Sequence, residues 1–142
     1  MNCLQANEVV YAYQNKYQLV QALSGVSADF AQGQLYAIIG ASGSGKTTFL
    51  SLLAGLDVPT SGSITWNGTS TAELDRDAYR LEHVSVIYQD FNLFSHLTVL
   101  ENAAYPLYAR KMSKKEGDAL AKEKLLALGL KEEQLGRFPN ML

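Results

Sequence analysis

Eight consecutive residues, Gly40-Ala41-Ser42-Gly43-Ser44-Gly45-Lys46-Thr47, carry the most specific chemistry in the chain. They match the pattern G-x-x-x-x-G-K-[ST] in full, the signature of a loop that cradles phosphate. Each part of the pattern has a physical task. The glycines let the backbone curl until successive N–H groups face inward on phosphate oxygens. The start of the helix that follows adds the positive end of its dipole. Lys46 brings a point charge to the β- and γ-phosphates, and Thr47 offers a hydroxyl to Mg²⁺. Thr48, one residue further along the helix, is placed for the α-phosphate. A glycine-rich structural turn would not need Lys-Thr at its end, so the loop is expected to bind a nucleotide.

Such a loop works only between a buried strand and a helix, and the sequence provides patterns for both. Leu35-Tyr36-Ala37-Ile38-Ile39 is a continuous apolar run, as strands covered on both faces of a parallel sheet read. Thr47 to Ala54 has helical spacing, with Phe49 and Leu53 at i, i+4 and Gly55 at a stop position. Val84-Ser85-Val86-Ile87-Tyr88 reads as a second buried strand. Upstream, Val9-Val10-Tyr11-Ala12-Tyr13 is strand-like, Asn15-Lys16 turn-like, and Val20 to Phe30 has room for one or two strands. Ser63 to Trp66 alternates like a half-exposed strand. Asp75 and Asp77 favour the first turn of a short helix ending near Glu82. Beyond Gln89 the pattern is helical, with Ala121, Leu125 and Leu128 on one face and Gly129 as a stop. This order of elements favours an α/β fold.

The 142 residues suffice for one domain, and 47% hydrophobic composition suffices for a core. The formal net charge of −2 argues against a dedicated nucleic-acid binder. Charge is uneven: residues 1–109 carry net −5 and residues 110–137 net +3. The basic stretch reads as a solvated helical face laced with Lys/Glu pairs. A single cysteine, Cys3, permits no disulfide within the chain, and His83 and His96 make no metal-ligand spacing. No signal-peptide pattern opens the chain and no apolar run is long enough to span a bilayer, so membrane contact is expected only through a partner.

Two blocks of sequence resemble one family. Ile39 to Thr48, with Leu52-Leu53-Ala54-Gly55-Leu56-Asp57-Val58-Pro59-Thr60-Ser61-Gly62, is similar to the ATP-binding subunits of ABC transporters. So is Val86-Ile87-Tyr88-Gln89-Asp90-Phe91-Asn92-Leu93-Phe94 with Leu97-Thr98-Val99-Leu100-Glu101-Asn102, which looks like the family's Q-loop and its sequel. The resemblance covers essentially the whole chain and is strongest to the branch serving lipoprotein release, macrolide efflux and peptide export. It implies a P-loop NTPase core with an N-terminal antiparallel β-subdomain (1–34), a core running to the Q-loop (35–90) and the beginning of a helical subdomain (91–142).

The resemblance also implies roles. ATP and Mg²⁺ are the expected cofactors. Gln89 matches the glutamine that reaches Mg²⁺ and the attacking water. Tyr13 matches the aromatic residue that stacks on adenine, with Tyr17 as the alternative. Lys46 and Gln89 are the expected catalytic residues; Thr47 and Gln89 the expected metal contacts; Tyr13 and Gly40, Ala41, Ser42, Gly43, Ser44, Gly45, Lys46, Thr47 and Thr48 the expected nucleotide contacts. The expected partners are a transmembrane permease and a second ATPase subunit in a head-to-tail dimer, on the cytoplasmic face of the membrane. In the family the signature segment begins where Leu142 falls. The Walker B aspartate and catalytic glutamate come later, and no apolar run ending in paired carboxylates follows Gln89. The chain is therefore expected to be an incomplete N-terminal part of a longer ATPase, inactive in isolation. The main alternative is a cassette that drives a membrane partner without transport, as in cell division, or a nucleotide-binding fragment without activity.

Overall fold

Alternating apolar residues along the N-terminal segment need a hydrophobic layer to cover them, and the computed structural model shows how they find one. It describes every residue except Met1, Asn15 and Tyr17, so the expected turn at Asn15 and the alternative aromatic Tyr17 lie outside the described residues. Two compact units emerge, Met1–Val86 and Ile87–Leu142.

In the first unit, strands β1 (Asn2–Gln14) and β2 (Leu19–Ala31) form a long antiparallel pair. The region from Val20 to Phe30, with room for one or two strands, thus lies within a single strand of 13 residues. β3 (Ser61–Trp66) pairs with the other edge of β1, and the short β4 (Thr69–Ser70) closes the order β2-β1-β3-β4. The sheet therefore takes in strands from both sides of the glycine-rich loop. Helix α1 (Lys46–Leu53) covers one face of it. Ala6, Val9, Leu23 and Ile64 from the strands bury themselves against Phe49, Leu52 and Leu53 of α1. Such burial contributes about 1.5–3 kcal/mol for each large side chain. Helix α2 (Arg76–His83) follows, its N-terminus capped by the Asp75 carboxylate, which accepts from the Asp77 and Ala78 N–H groups. Tyr79 of α2 donates its hydroxyl to the Leu53 carbonyl at 3.0 Å and packs against Gly55, whose φ of 69° ends α1.

Two expected strands are corrected by the structure. Leu35–Ile39 and Val84–Tyr88 belong to no sheet among the described residues. Leu35 is fully exposed, Ile39 is 90% exposed and Ile87 is 96% exposed. An apolar run alone does not make a strand: one exists only where a neighbour takes up its N–H and C=O groups. Neither segment has such a neighbour among the described residues. The first is held by side chains instead: the Tyr36 hydroxyl accepts from the Ala31 N–H at 2.9 Å, and Ile38 packs on the core.

In the second unit, helices α3 (Val99–Ala109) and α4 (Lys114–Ala127) form the frame. Thr98 and Glu101 make a reciprocal capping box that starts α3. Ser113 caps α4, accepting from the Glu116 N–H. Gly117 of α4 lies against the Tyr108 ring of α3, where a Cβ would come within 2.8 Å of it. The Tyr108 hydroxyl reaches across to Asp118. Gly129, at φ 93°, stops the chain after α4 as its position suggested.

Candidate functional site

The expected phosphate loop lies at the start of α1, and its geometry follows from its glycines. Gly43 and Gly45 both adopt left-handed backbone, with φ of 77° and 87°. The Ser44 N–H bonds back to the Ala41 carbonyl at 3.3 Å, closing a tight turn. At Gly45 the requirement is double. Its φ is one that L side chains rarely adopt, and a Cβ there would overlap the Ala22 carbonyl oxygen and lie 2.8 Å from Leu23 Cδ2. Ala22 sits in the bulge of β2, where Leu23 pairs with Tyr11 but Gln21 with Ala12. The bulge and the glycine thus let the loop dock closely on the sheet.

Gly45 is the N-cap of α1 and has no side chain to bond the first amides, and the first helical bond runs from the Phe49 N–H to the Gly45 carbonyl. The amides of Lys46, Thr47 and Thr48 therefore face out of the helix start, where an anion is favoured by both hydrogen bonding and dipole. Lys46 Nζ curls over the loop and donates to the carbonyls of Gly40 at 2.9 Å and Ala41 at 2.7 Å. Its ammonium is thereby held against the turn that opens the loop. Thr47 is exposed at the same point. Thr48 is nearly buried, and its hydroxyl lies 2.9 Å from the Tyr13 hydroxyl.

Tyr13 stands near the end of β1 with 52% of its surface exposed. One ring edge is occupied by Tyr11, with centroids 5.0 Å apart and planes at 83°. The structure thus brings Tyr13, the loop and the helix start together in one unit. Gln89 belongs to the second unit, where it is exposed in a turn. After it, Phe91 and Asn92 both take positive φ, 58° and 50°, an uncommon conformation for residues other than glycine. Phe91 is 78% exposed. Asn102 holds the sequel: its Nδ2 donates to the carbonyls of Phe94, Leu97 and Thr98, each at 3.0 Å, and its Oδ1 accepts from the Phe94 N–H at 2.8 Å.

Sequence reasoning missed three of these residues. Asn102 was quoted only as part of a motif, yet it is the clamp on residues 94–98. Tyr11 and Asp57, hydrogen-bonded to each other, were read as a strand residue and a motif residue. The Thr98-x-x-Glu101 spacing was the one available signal for the clamp, since a capping box marks a fixed helix start. Cys3, His83 and His96 gather no metal site: no group of three His, Cys, Asp or Glu residues suited to a metal occurs among the described residues. His83 packs instead on Trp66 and Tyr79.

A glycine loop in left-handed backbone, a lysine folded over it and an uncapped helix start behind it define a P-loop nucleotide-binding protein. The ABC transporter family matches residues 23–142, and the chain belongs to that family. It is 37% identical over 142 residues to the lipoprotein-releasing system ATP-binding protein LolD of Bordetella avium, covering 98% of this chain and 61% of that protein. It is 42% identical over 129 residues to the methionine import ATP-binding protein MetN of Latilactobacillus sakei, covering 89% and 38%. Among solved structures, the ATP-binding cassette MJ0796, a dimer in a post-hydrolysis state bound to ADP and Pi, superposes with a TM-score of 0.87 at 32% identity. That match covers 98% of this chain and 62% of the cassette, so the chain spans less than two thirds of these relatives. The fold is accordingly the α/β fold of ABC cassettes, and proteins of this family bind and hydrolyse ATP.

Proposed function

We propose that this chain is the ATP-binding, energy-coupling part of an ABC membrane transporter, of the kind that exports a peptide, a lipoprotein or a drug. The observation that carries the reading is the loop itself: left-handed Gly43 and Gly45, the uncapped start of α1, and Lys46 drawn over the turn. In this reading the amides from Gly40 to Thr48 hold the ATP phosphates and Lys46 neutralises their charge. Tyr13 stacks on adenine.

The Mg²⁺ that accompanies ATP suits this donor set. Magnesium takes oxygen ligands and is usually held by one or two protein groups together with substrate phosphates, rather than by a protein cage. The exposed Thr47 hydroxyl at the helix start is such a group, and Gln89 is the proposed second. Bound Mg²⁺ supplies charge neutralisation on the phosphate oxygens. A neutral amide at position 89 has a further use: it can leave the metal without the desolvation cost of a charge, and so act as a switch.

The domain plan proposed is a β-subdomain over 1–34, a core over 35–90 and a helical region over 91–142. The partners are a membrane permease, docked on the Q-loop side, and a second ATPase subunit. No helix among the described residues is long and apolar enough to cross a membrane. Attachment to the cytoplasmic face of the membrane through the permease is therefore part of the proposal. Export is favoured by likeness to LolD and to the macrolide export protein MacB of Escherichia coli, 37% identical over 142 residues, of which the chain covers 22%.

The reading is tested by co-expressing the complete protein with the membrane protein encoded beside it and reconstituting both in vesicles. ATP turnover should rise with the partner present, and Gln89→Ala should slow turnover while leaving ATP affinity within a factor of about two. Turnover indifferent to the partner, or equal loss of binding and turnover in Gln89→Ala, contradicts the coupling role.

A further inference from the structure

The strand end that carries Tyr13 is tied to the far end of α1 by a second tyrosine. Tyr11 and Tyr13 are two residues apart on β1 and so share one face of it. Their rings meet edge to face at 5.0 Å. The Tyr13 hydroxyl meets Thr48 Oγ1 near the start of α1, and the Tyr11 hydroxyl donates to Asp57, four residues past its last turn. One tyrosine pair thus spans both ends of the helix that opens with the phosphate loop.

On the β2 side this stretch of β1 stays paired as far as Gln14 with Leu19, so it is the other edge that needs support. The last β1–β3 pair is Val10 with Ser61. Beyond it, the turn from Asp57 to Thr60 supports that side of the strand. The Thr60 N–H donates to the Val10 carbonyl at 2.9 Å, the Ala12 N–H donates to Thr60 Oγ1 at 3.2 Å, and Asp57 Oδ1 is fixed by the Val58 N–H at 2.8 Å. The hydrogen bond to Asp57 pushes the Tyr11 hydroxyl up to about 12, so Tyr11 remains a protonated donor throughout the neutral range.

We infer that Tyr11 is a positioning residue for the nucleotide base: anchored on Asp57, it fixes the plane of the Tyr13 ring. This rests on the reading of Tyr13 as the adenine platform. An exposed tyrosine ring on a strand end otherwise samples several rotamers. A ring already held in one orientation loses less freedom when a base stacks on it, which is the gain from preorganisation.

The test compares two ligands on the complete protein: ATP, which has a base, and inorganic tripolyphosphate, which has none. Tyr11→Phe keeps the ring edge but removes the donor. It should weaken ATP about fivefold while leaving tripolyphosphate affinity unchanged, the range expected for losing one modest hydrogen bond. Asp57→Ala should do the same, and the double variant should be no worse than either single one. Asp57→Asn keeps an acceptor and should restore most of the affinity. Unchanged ATP affinity in Tyr11→Phe overturns the inference. So does equal weakening of both ligands, which would place the effect in the loop or in folding. Unchanged ATP affinity in Tyr13→Ala would overturn the platform reading itself, whatever Tyr11→Phe does.

Discussion

At the scale of residues, the site depends on a few atoms whose neighbours forbid substitution. Gly45 meets a carbonyl oxygen on one side and a leucine methyl on the other. Lys46 donates to two loop carbonyls, and in the proposed nucleotide complex it would exchange these bonds for phosphate oxygens. Tyr13 has two separable functions, a ring face and a hydroxyl bonded to Thr48. If the face carries adenine, Tyr13→Ala should weaken ATP about tenfold or more, since stacking of a base on an aromatic ring is worth about 1–3 kcal/mol. Tyr13→Trp should retain most of the affinity. Titration of ATP into the three proteins checks this, and equal affinities would remove the stacking role. The glycine-lysine-threonine pattern was fully legible in the sequence, because each residue type there is demanded by chemistry. Tyr11 and Asp57 were not, because a hydrogen bond between residues 46 apart leaves no local signature.

At the scale of elements, helices were easier to read than strands. α1, α2 and α4 lie where caps, glycine stops and apolar spacing placed them, since a helix satisfies its own hydrogen bonds. A strand depends on partners elsewhere in the chain, and this is why Leu35–Ile39 and Val84–Tyr88 read as strands without pairing as such. Two element-level ties are measurable. Asn102 makes four hydrogen bonds that hold residues 94–98 to the start of α3. Asn102→Ala should cost about 2 kcal/mol, allowing for water replacing part of what is lost. It should also speed hydrogen exchange at the Phe94 amide; exchange and unfolding at the native level would contradict the clamp. The Tyr11–Asp57 tie has a pH signature. The folded-state value of Tyr11, about 12, lies above the ordinary 10.0, so its contribution is whole below pH 10 and is lost as pH rises toward 12. Tyr108, raised to about 12 by its hydrogen bond to Asp118, behaves likewise in the second unit. Asp57, held below its ordinary value by the Tyr11 hydroxyl, loses its contribution at the acid end instead, as pH falls through its lowered value. Unfolding temperature measured between pH 9 and pH 12 should therefore fall less in Tyr11→Phe than in the parent, and an identical fall would contradict the tie.

At the scale of the whole molecule, charge and shape divide the labour. The first unit carries the acidic residues 1–86 and the phosphate loop. Most of the basic stretch from Arg110 to Arg137 lies on or around α4 in the second. The second unit also leaves Phe91, Leu93, Phe94 and Tyr105 substantially exposed, the side on which a permease is proposed to dock. Family membership was visible in sequence because two long motif blocks coincide, and structural likeness to a solved cassette at a TM-score of 0.87 agrees with it. Substrate and direction of transport are not legible in the motif blocks, because the residue types there answer to phosphate chemistry alone. The central claim concerns the loop at the start of α1. It is tested most directly by the affinity of the complete protein for ATP before and after Lys46→Ala. Loss of this cation at the loop should weaken ATP by about a hundredfold or more, at 1.4 kcal/mol for each factor of ten. ATP bound as tightly by Lys46→Ala as by the parent would contradict the account.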